Sequence, residues 1–203
     1  KRNWDSQIIY TNGPFLMADP GVQFIFLRAS RDLLAMAQHL EMDLAVDEIK
    51  GWVEQVEVGS DFLWNDMVGG YCARDLRTGQ FSDAITNAST LSFFADVGSP
   101  EQRKSMEAHC RRILSASAFG MPSWDPDHQA FESQRYWRGP VWAIMNHMVI
   151  SGLEDAGLAD LAARVRNDTI NLINEYGMAE YFDPCDGDGL GGVDFSWTAA
   201  VYL

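Results

Sequence analysis

The four residues Ser99-Pro-Glu-Gln102 constrain this chain more than any others. Ser is a helix N-cap. Pro in the first turn has its φ preset and lacks only an N–H that would be orphaned there. Gln at the third helical position can reach back to the N–H of the cap. Such punctuation recurs along the chain. Asp19-Pro20 opens a helix expected to run to about Met42, and a second spans Val46 to Leu63. Asn87 or Ser89 starts a short helix that stops at Gly98, and the helix from Ser99 ends before Gly120. Gly139-Pro140 opens a further helix to about Ala156. Beyond Gly157, the residues Leu158, Leu161, Val165, Thr169, Leu172 and Tyr176 recur at spacings of three and four. They form one amphipathic face that Gly177 closes. A last helix begins near Trp197.

The fold class is therefore all-α, with helical hairpins joined alternately by very short and very long connections. The long ones, residues 64–88, 120–139 and 177–196, are rich in Trp, Tyr, Gly, Asp and Pro. Loops of that length in a compact domain usually carry function. Stacked hairpins with long loops grouped on one rim are what an α/α toroid looks like in sequence.

A formal charge of −14 argues against nucleic acid, which needs clustered Lys and Arg. The most apolar stretch, Val22 to Leu40, is broken by Arg28, Arg31, Asp32 and Gln38, so it reads as a buried helix and not a membrane span. Three scattered cysteines, Cys72, Cys110 and Cys185, fit a reducing compartment, and the expected location is cytoplasmic. His39, His109, His128 and His147 show no metal-ligand spacing. Asp183, Asp186, Asp188 and Asp194 fail the EF-hand register. No cofactor and no metal are expected. The acidic balance suits a neutral or sugar-like small substrate, neither nucleic acid nor membrane is expected as a partner, and the oligomeric state is open.

Two constellations can carry chemistry. Glu180, in Met178-Ala-Glu-Tyr-Phe-Asp-Pro184, lies just past a helix end at the mouth of a loop containing Gly187, Gly189, Gly191 and Gly192. A carboxylate on such a rim, flanked by Tyr181 and Phe182, suits a general base that activates water. From spacing alone a solvated loop glutamate is the commoner reading. In Gln134-Arg-Tyr-Trp-Arg-Gly-Pro-Val-Trp142, the rings of Tyr136, Trp137 and Trp142 can stack on sugar C–H faces, while Arg138 and Gln134 supply donors for hydroxyls. Two tryptophans five residues apart also fit core packing. Trp64-Asn-Asp-Met-Val-Gly-Gly-Tyr71 and Met121-Pro-Ser-Trp-Asp-Pro126 are weaker candidates for rim contacts.

Tyr136-Trp-Arg-Gly-Pro-Val-Trp142, then Glu180-Tyr-Phe-Asp-Pro184, then Phe195-Ser-Trp-Thr-Ala-Ala200, in this order and spacing, resemble the C-terminal half of glycoside hydrolase family 63 and its mannosylglycerate and glucosylglycerate hydrolases. Leu27-Arg-Ala-Ser-Arg-Asp-Leu-Leu34 and Ala73-Arg-Asp-Leu-Arg-Thr-Gly79 extend the similarity over the chain. The resemblance implies that residues 1–203 are the C-terminal portion of an (α/α)6 catalytic domain, truncated at the N-terminus. It implies inverting hydrolysis of an α-linked glucoside or mannoside, with Glu180 as general base and Tyr136, Trp137, Arg138, Trp142, Gln134, Tyr181 and Trp197 around the sugar. The family's general acid is an Asp in a Gly-x-Asp-Asn-Ser-Pro segment, which does not occur in these residues. By the family layout it lies upstream of Lys1. Asp5, in Asn3-Trp-Asp-Ser6, is the nearby stand-in and lacks that motif. The alternatives are a trehalase-like or glucoamylase-like glycosidase, or a non-catalytic carbohydrate-binding remnant. A partial toroid of this kind is expected to be inactive alone and to leave the Phe24, Leu27 and Leu34 side of its first long helix uncovered.

Overall fold

The computed structural model describes residues 5–13 and 15–202. Asn3 and Trp4 of the Asn3-Trp-Asp-Ser6 segment, and Leu203 at the end of the last expected helix, lie outside it. The described residues are helix-rich. The first helix, α1 (Ser6–Asn12), was not legible in the hydrophobic pattern, and Asp5 caps it by accepting the Ile8 N–H at 3.0 Å.

The first hairpin pairs α2 (Pro20–His39) with α3 (Asp43–Asp61). Asp19 caps α2 by accepting the Val22 N–H at 3.0 Å, and Pro20 occupies the first turn. Glu41, with φ +55, turns the chain between the two helices, so α2 stops short of Met42. Phe24, Leu27 and Ala37 of α2 and Ile49 and Val53 of α3 enter the core. This corrects the expected uncovered side, since Phe24 and Leu27 are both 0% exposed. The exposed stripe of α2 is the other one, Val22, Phe26, Leu33 and Met36, continued by Leu40 at its C-cap.

The short helix α4 (Asn87–Thr90) covers only the start of the segment expected to reach Gly98. Thr86 and Ser89 close a reciprocal capping box at its start. The Thr90 hydroxyl then donates to Asn87 O at 2.7 Å, and the chain continues in three-residue turns. Ser and Thr compete in this way with helix propagation. In α5 (Pro100–Ala116) the expected box is complete: Ser99 Oγ accepts the Gln102 N–H at 3.3 Å and Gln102 Oε1 accepts the Ser99 N–H at 2.8 Å.

The last hairpin joins α6 (Ala143–Asp155) to α7 (Ala159–Tyr176) through Gly157, at φ +75. On α7, Leu161, Val165, Thr169 and Leu172 are buried, as their spacing requires. Helix α8 (Ser196–Tyr202) packs on α6. In series, α2 touches α4, α4 touches α6 and α6 touches α8, while α3 backs α2 and α7 backs α6.

Among the described residues, three ribbons, each strand two residues long, interrupt what the sequence reads as loop. They pair β1 (Met17–Ala18) with β4 (Arg74–Asp75), β2 (Trp64–Asn65) with β3 (Gly70–Tyr71), and β5 (Tyr181–Phe182) with β6 (Gly189–Leu190), all antiparallel. The β5 ribbon also explains why α6 begins at Ala143 rather than at Gly139-Pro140. Val141 stays extended, exchanging hydrogen bonds with Phe182 at 2.8 and 2.9 Å. Beneath this junction Val141, Ala143, Leu172, Ile173, Ala179 and Phe182 form a small core of their own.

Candidate active site

The Val141–Phe182 bridge brings the 132–142 segment against the strand that follows Glu180. Gly177, at φ +82, ends α7 and turns the chain outward. Met178 O then accepts the Phe195 N–H at 2.8 Å and Ala179 O accepts the Thr198 hydroxyl at 2.6 Å, fixing the approach to Glu180 from the α8 side.

Glu180 is half-buried and held at both carboxylate oxygens. The Tyr136 phenol donates to Oε1 at 2.9 Å, and the Gly192 N–H donates to Oε2 at 3.1 Å. The Glu180 N–H returns a bond to Gly192 O at 2.9 Å. Gly191, at φ +74, makes this approach possible: a Cβ there would stand 2.6 Å from Oε2. Each oxygen has one donor and keeps a second lone pair, so the carboxylate is oriented and can still accept a proton from water. The phenol of Tyr136 is raised above its ordinary value of 10.0, first by its bond to Glu180 and then by desolvation. It remains a donor through the ordinary tyrosine range.

Of the aromatic residues named from sequence, Tyr136, Trp137, Trp142 and Tyr181 gather here. Trp137 and Trp142 stack at 4.1 Å with an interplanar angle of 3°, and Trp142 stacks on Tyr181 at 5.0 Å. Tyr136 meets Trp142 edge-on at 5.0 Å and Tyr181 edge-on at 5.2 Å. Their exposures separate their roles. Trp142 is 1% exposed and has no open face to offer a sugar; its Nε1–H instead donates to Tyr136 O at 3.0 Å. Tyr136 sits at φ +37, a backbone region that a bulky side chain occupies only where its surroundings hold it. Trp137 is 45% exposed. It borders a groove of about 430 Å³ at the starts of α2 and α4, along with Val22, Ile25, Asn87, Trp124 and Met145.

Other residues stand differently from their sequence reading. The Gln134 side chain donates to Asp183 at 2.9 Å, and Arg138 pairs with Glu132, so both work as internal ties rather than as open hydroxyl donors. Trp197, on α8, is exposed and meets Phe195 edge-on at 5.7 Å. Tyr71 belongs to the core, edge-on to both Phe24 and Trp64. Asp5 spends its carboxylate on capping α1.

Sequence reasoning passed over three contributors. Asp183 is buried and collects donors from the 132–138 loop, Gly191 leaves the space beside Glu180, and His128 orients Trp124. Trp124 Nε1–H and the Ala130 N–H both donate to His128 Nδ1, at 3.0 and 3.1 Å, leaving Nε2 facing Asp83 at 3.1 Å. The Asp in Glu-Tyr-Phe-Asp and the run of glycines were visible signals. What they served depended on a loop some 45 residues away.

The profile of the family described as the Mannosylglycerate hydrolase MGH1-like glycoside hydrolase domain matches residues 1–198. The chain belongs to this family. It is 40% identical over 201 residues to "Mannosylglycerate hydrolase MGH1" of Selaginella moellendorffii, covering 99% of this chain and 41% of that protein. It is also 40% identical over 202 residues to a mannosylglycerate hydrolase of Thermus thermophilus, covering 98% and 48%. The crystal structure of a GH63 mannosylglycerate hydrolase from another strain of Thermus thermophilus, in complex with glucose, superposes with a TM-score of 0.93 at 39% identity, covering 98% of this chain and 47% of that one. The chain thus spans between two fifths and one half of these relatives, and the similarity to glycoside hydrolase family 63 read from its motifs holds.

Proposed function

We propose that this chain is the general-base half of an inverting α-glycosidase acting on a glycoside of glycerate, mannosylglycerate first and glucosylglycerate second. The observation that carries this reading is the Glu180 carboxylate, oriented by the Tyr136 phenol and the Gly192 N–H with acceptor capacity to spare. In this role Glu180 takes a proton from a water that attacks the anomeric carbon. An aspartic acid outside these 203 residues protonates the leaving oxygen from the other face. Inversion needs the two carboxyls about 6.5–9.5 Å apart, which leaves room for the water.

The hairpins α2–α3 and α6–α7, and the serial contacts of α2, α4, α6 and α8, support a partial (α/α)6 toroid with the long loops on one rim. Trp137 supplies the open aromatic face, with Tyr136 edge-on beside it and Tyr181 on the far side of Trp142. Cytoplasmic action is part of this reading, since Cys72, Cys110 and Cys185 are free thiols.

The test is Glu180→Gln in the longer enzyme that carries this segment. Turnover of mannosylglycerate is expected to fall by about 10²–10⁴, the usual contribution of a general base, with circular dichroism and Tm unchanged. Near-wild-type turnover, or a product released with retained anomeric configuration by proton NMR, would sink the assignment.

A further inference from the structure

We infer that Asp183 is a positioning residue, holding the 132–138 loop, and with it the Tyr136 phenol, against Glu180. The inference rests on the reading of Glu180 as general base.

The loop is pinched at its base. The Glu132 N–H donates to Arg138 O at 3.0 Å, the two side chains form an ion pair, and a Cβ at Gly139 would fall 1.9 Å from Glu132 O. Inside it, the Arg135 N–H donates to Glu132 O and the Arg138 N–H to Arg135 O, which makes the loop a compact unit. The unit meets the Glu180 strand through side chains at two points. At its tip the Tyr136 phenol reaches Glu180. Along its first limb the Ser133 hydroxyl and the Gln134 amide both donate to Asp183 Oδ2, each at 2.9 Å.

Asp183 is rigid before the loop arrives. Its N–H donates to Asp188 O, its own carbonyl accepts the Gly187 N–H, and its Oδ1 accepts the Cys185 N–H at 2.9 Å. At 2% exposure it sits where water competes poorly, whereas Tyr136 and Gln134 lie on the exposed side. A buried carboxylate is costly when its oxygens lack donors. Lifting the loop would leave Asp183 Oδ2 without the donors from Ser133 and Gln134. Burial pushes its carboxyl up, yet the bonds from the Cys185 N–H, Gln134 and Ser133 more than reverse this and hold it below the ordinary range. The charge is thus maintained first by the Cys185 N–H of its own turn and then by the Gln134 and Ser133 bonds that close the loop. Closure matters because Tyr136 rests at φ +37, a conformation that relaxes once the loop is released.

The experiment uses the full-length enzyme with Asp183→Ala and Gln134→Met, each alone and combined with Tyr136→Phe. Gln134→Met keeps the shape and removes one donor, so it carries the comparison if Asp183→Ala fails to fold. Tyr136→Phe is expected to lower kcat about tenfold, the worth of a hydrogen bond to a charged group, with KM moving by less than about threefold. Asp183→Ala and Gln134→Met should lower kcat by a similar factor and also raise KM, because Trp137 rides on the released loop. Each pair should lose no more than its weaker member, because both changes act through one bond to Glu180. Losses that multiply in the pairs, or unchanged kcat in the singles, would overturn the proposal. Amide exchange over residues 133–138 reads the tie without reference to chemistry and should rise in Asp183→Ala. Unchanged exchange there, with Glu180→Gln inactive, overturns the proposal alone. Full turnover in Glu180→Gln overturns the base assignment and takes the catalytic part of the proposal with it, even where exchange has risen.

Discussion

The Tyr136 phenol and the Glu180 carboxylate, 44 residues apart in sequence, meet at 2.9 Å, and the Gly192 N–H takes the other oxygen at 3.1 Å. The carboxylate is therefore aimed by one side chain and one main-chain group, both of which leave it room to accept a proton. Tyr136→Phe removes only the phenol oxygen and keeps the ring contacts with Trp142 and Tyr181. A loss of about tenfold in kcat is expected. Because the phenol is raised above 10.0 in the folded protein, its bond is complete below that value and is lost as pH rises through the higher folded one. Alkaline difference spectra of wild type against Tyr136→Phe should show a tyrosine ionising above pH 10, and one ionising at or below it would contradict the bond.

Trp137 and Trp142 stack on one another and should nonetheless fail in different ways. Trp142 is fully buried and holds the Tyr136 carbonyl, so Trp142→Ala leaves a large cavity and should cost about 3–5 kcal/mol of stability. Trp137 keeps an open face on the groove shared with Trp124, so Trp137→Ala should chiefly weaken sugar binding, by about 1–3 kcal/mol. Urea unfolding and substrate titration on both variants separate the two outcomes. Equal destabilisation by both would remove Trp137 from the sugar site.

Asp125 supplies a pH test that is independent of turnover. Burial pushes its carboxyl up, but hydrogen bonds from Arg112, backed by the Asp127 N–H, reverse this and hold it below its ordinary value of 3.8. A carboxyl depressed on folding contributes stability that is complete above its unfolded value and is lost as pH falls through the lower folded one. Arg112 keeps contact with solvent, so the contribution is placed at about 1–2 kcal/mol. Asp125→Asn should be less stable than wild type at pH 7 and lose less on acidification below about pH 4. Urea midpoints measured from pH 7 to pH 2.5 check this, and parallel acid limbs would refute it.

The legible parts of the fold were those written in local chemistry. The Ser99–Gln102 box, the Asp19 cap and the Gly177 stop each act within a few residues, and all three are present. The ribbons escaped because a two-residue strand shows no periodicity, and because Val141 gave up a helical start only for Phe182, some 40 residues away. The candidate site divides in the same way. The aromatic run and Glu180 could be named from their motifs. That Trp142 faces inward, that Gln134 serves Asp183 and that Arg138 serves Glu132 follow from how two distant loops meet.

The exposed stripe of α2 leads to the last prediction. Phe24 and Leu27 face the core, Phe24 edge-on to Tyr71, but Val22, Phe26, Leu33 and Met36, with Leu40 at the C-cap, lie open along one helix face, and Leu44 and Val58 of α3 are open as well. Scattered apolar side chains are normal on a surface, whereas a continuous stripe of more than a few hundred Å² marks a face that another surface covers. The 203-residue chain expressed alone is therefore expected to self-associate and to bind a hydrophobic dye. It is also expected to hydrolyse neither mannosylglycerate nor glucosylglycerate. No Gly-x-Asp-Asn-Ser-Pro segment occurs in it to supply the acid, and Asp5 is committed to the Ile8 N–H. Glu180 cannot be base and acid in a single inverting displacement. Phe26→Glu with Met36→Lys should shift the isolated chain toward monomer in light scattering without restoring turnover. A wild-type chain that stays monomeric at tens of micromolar would refute the stripe argument. Measured hydrolysis by the isolated chain would refute the catalytic one and make Asp5 the first residue to replace.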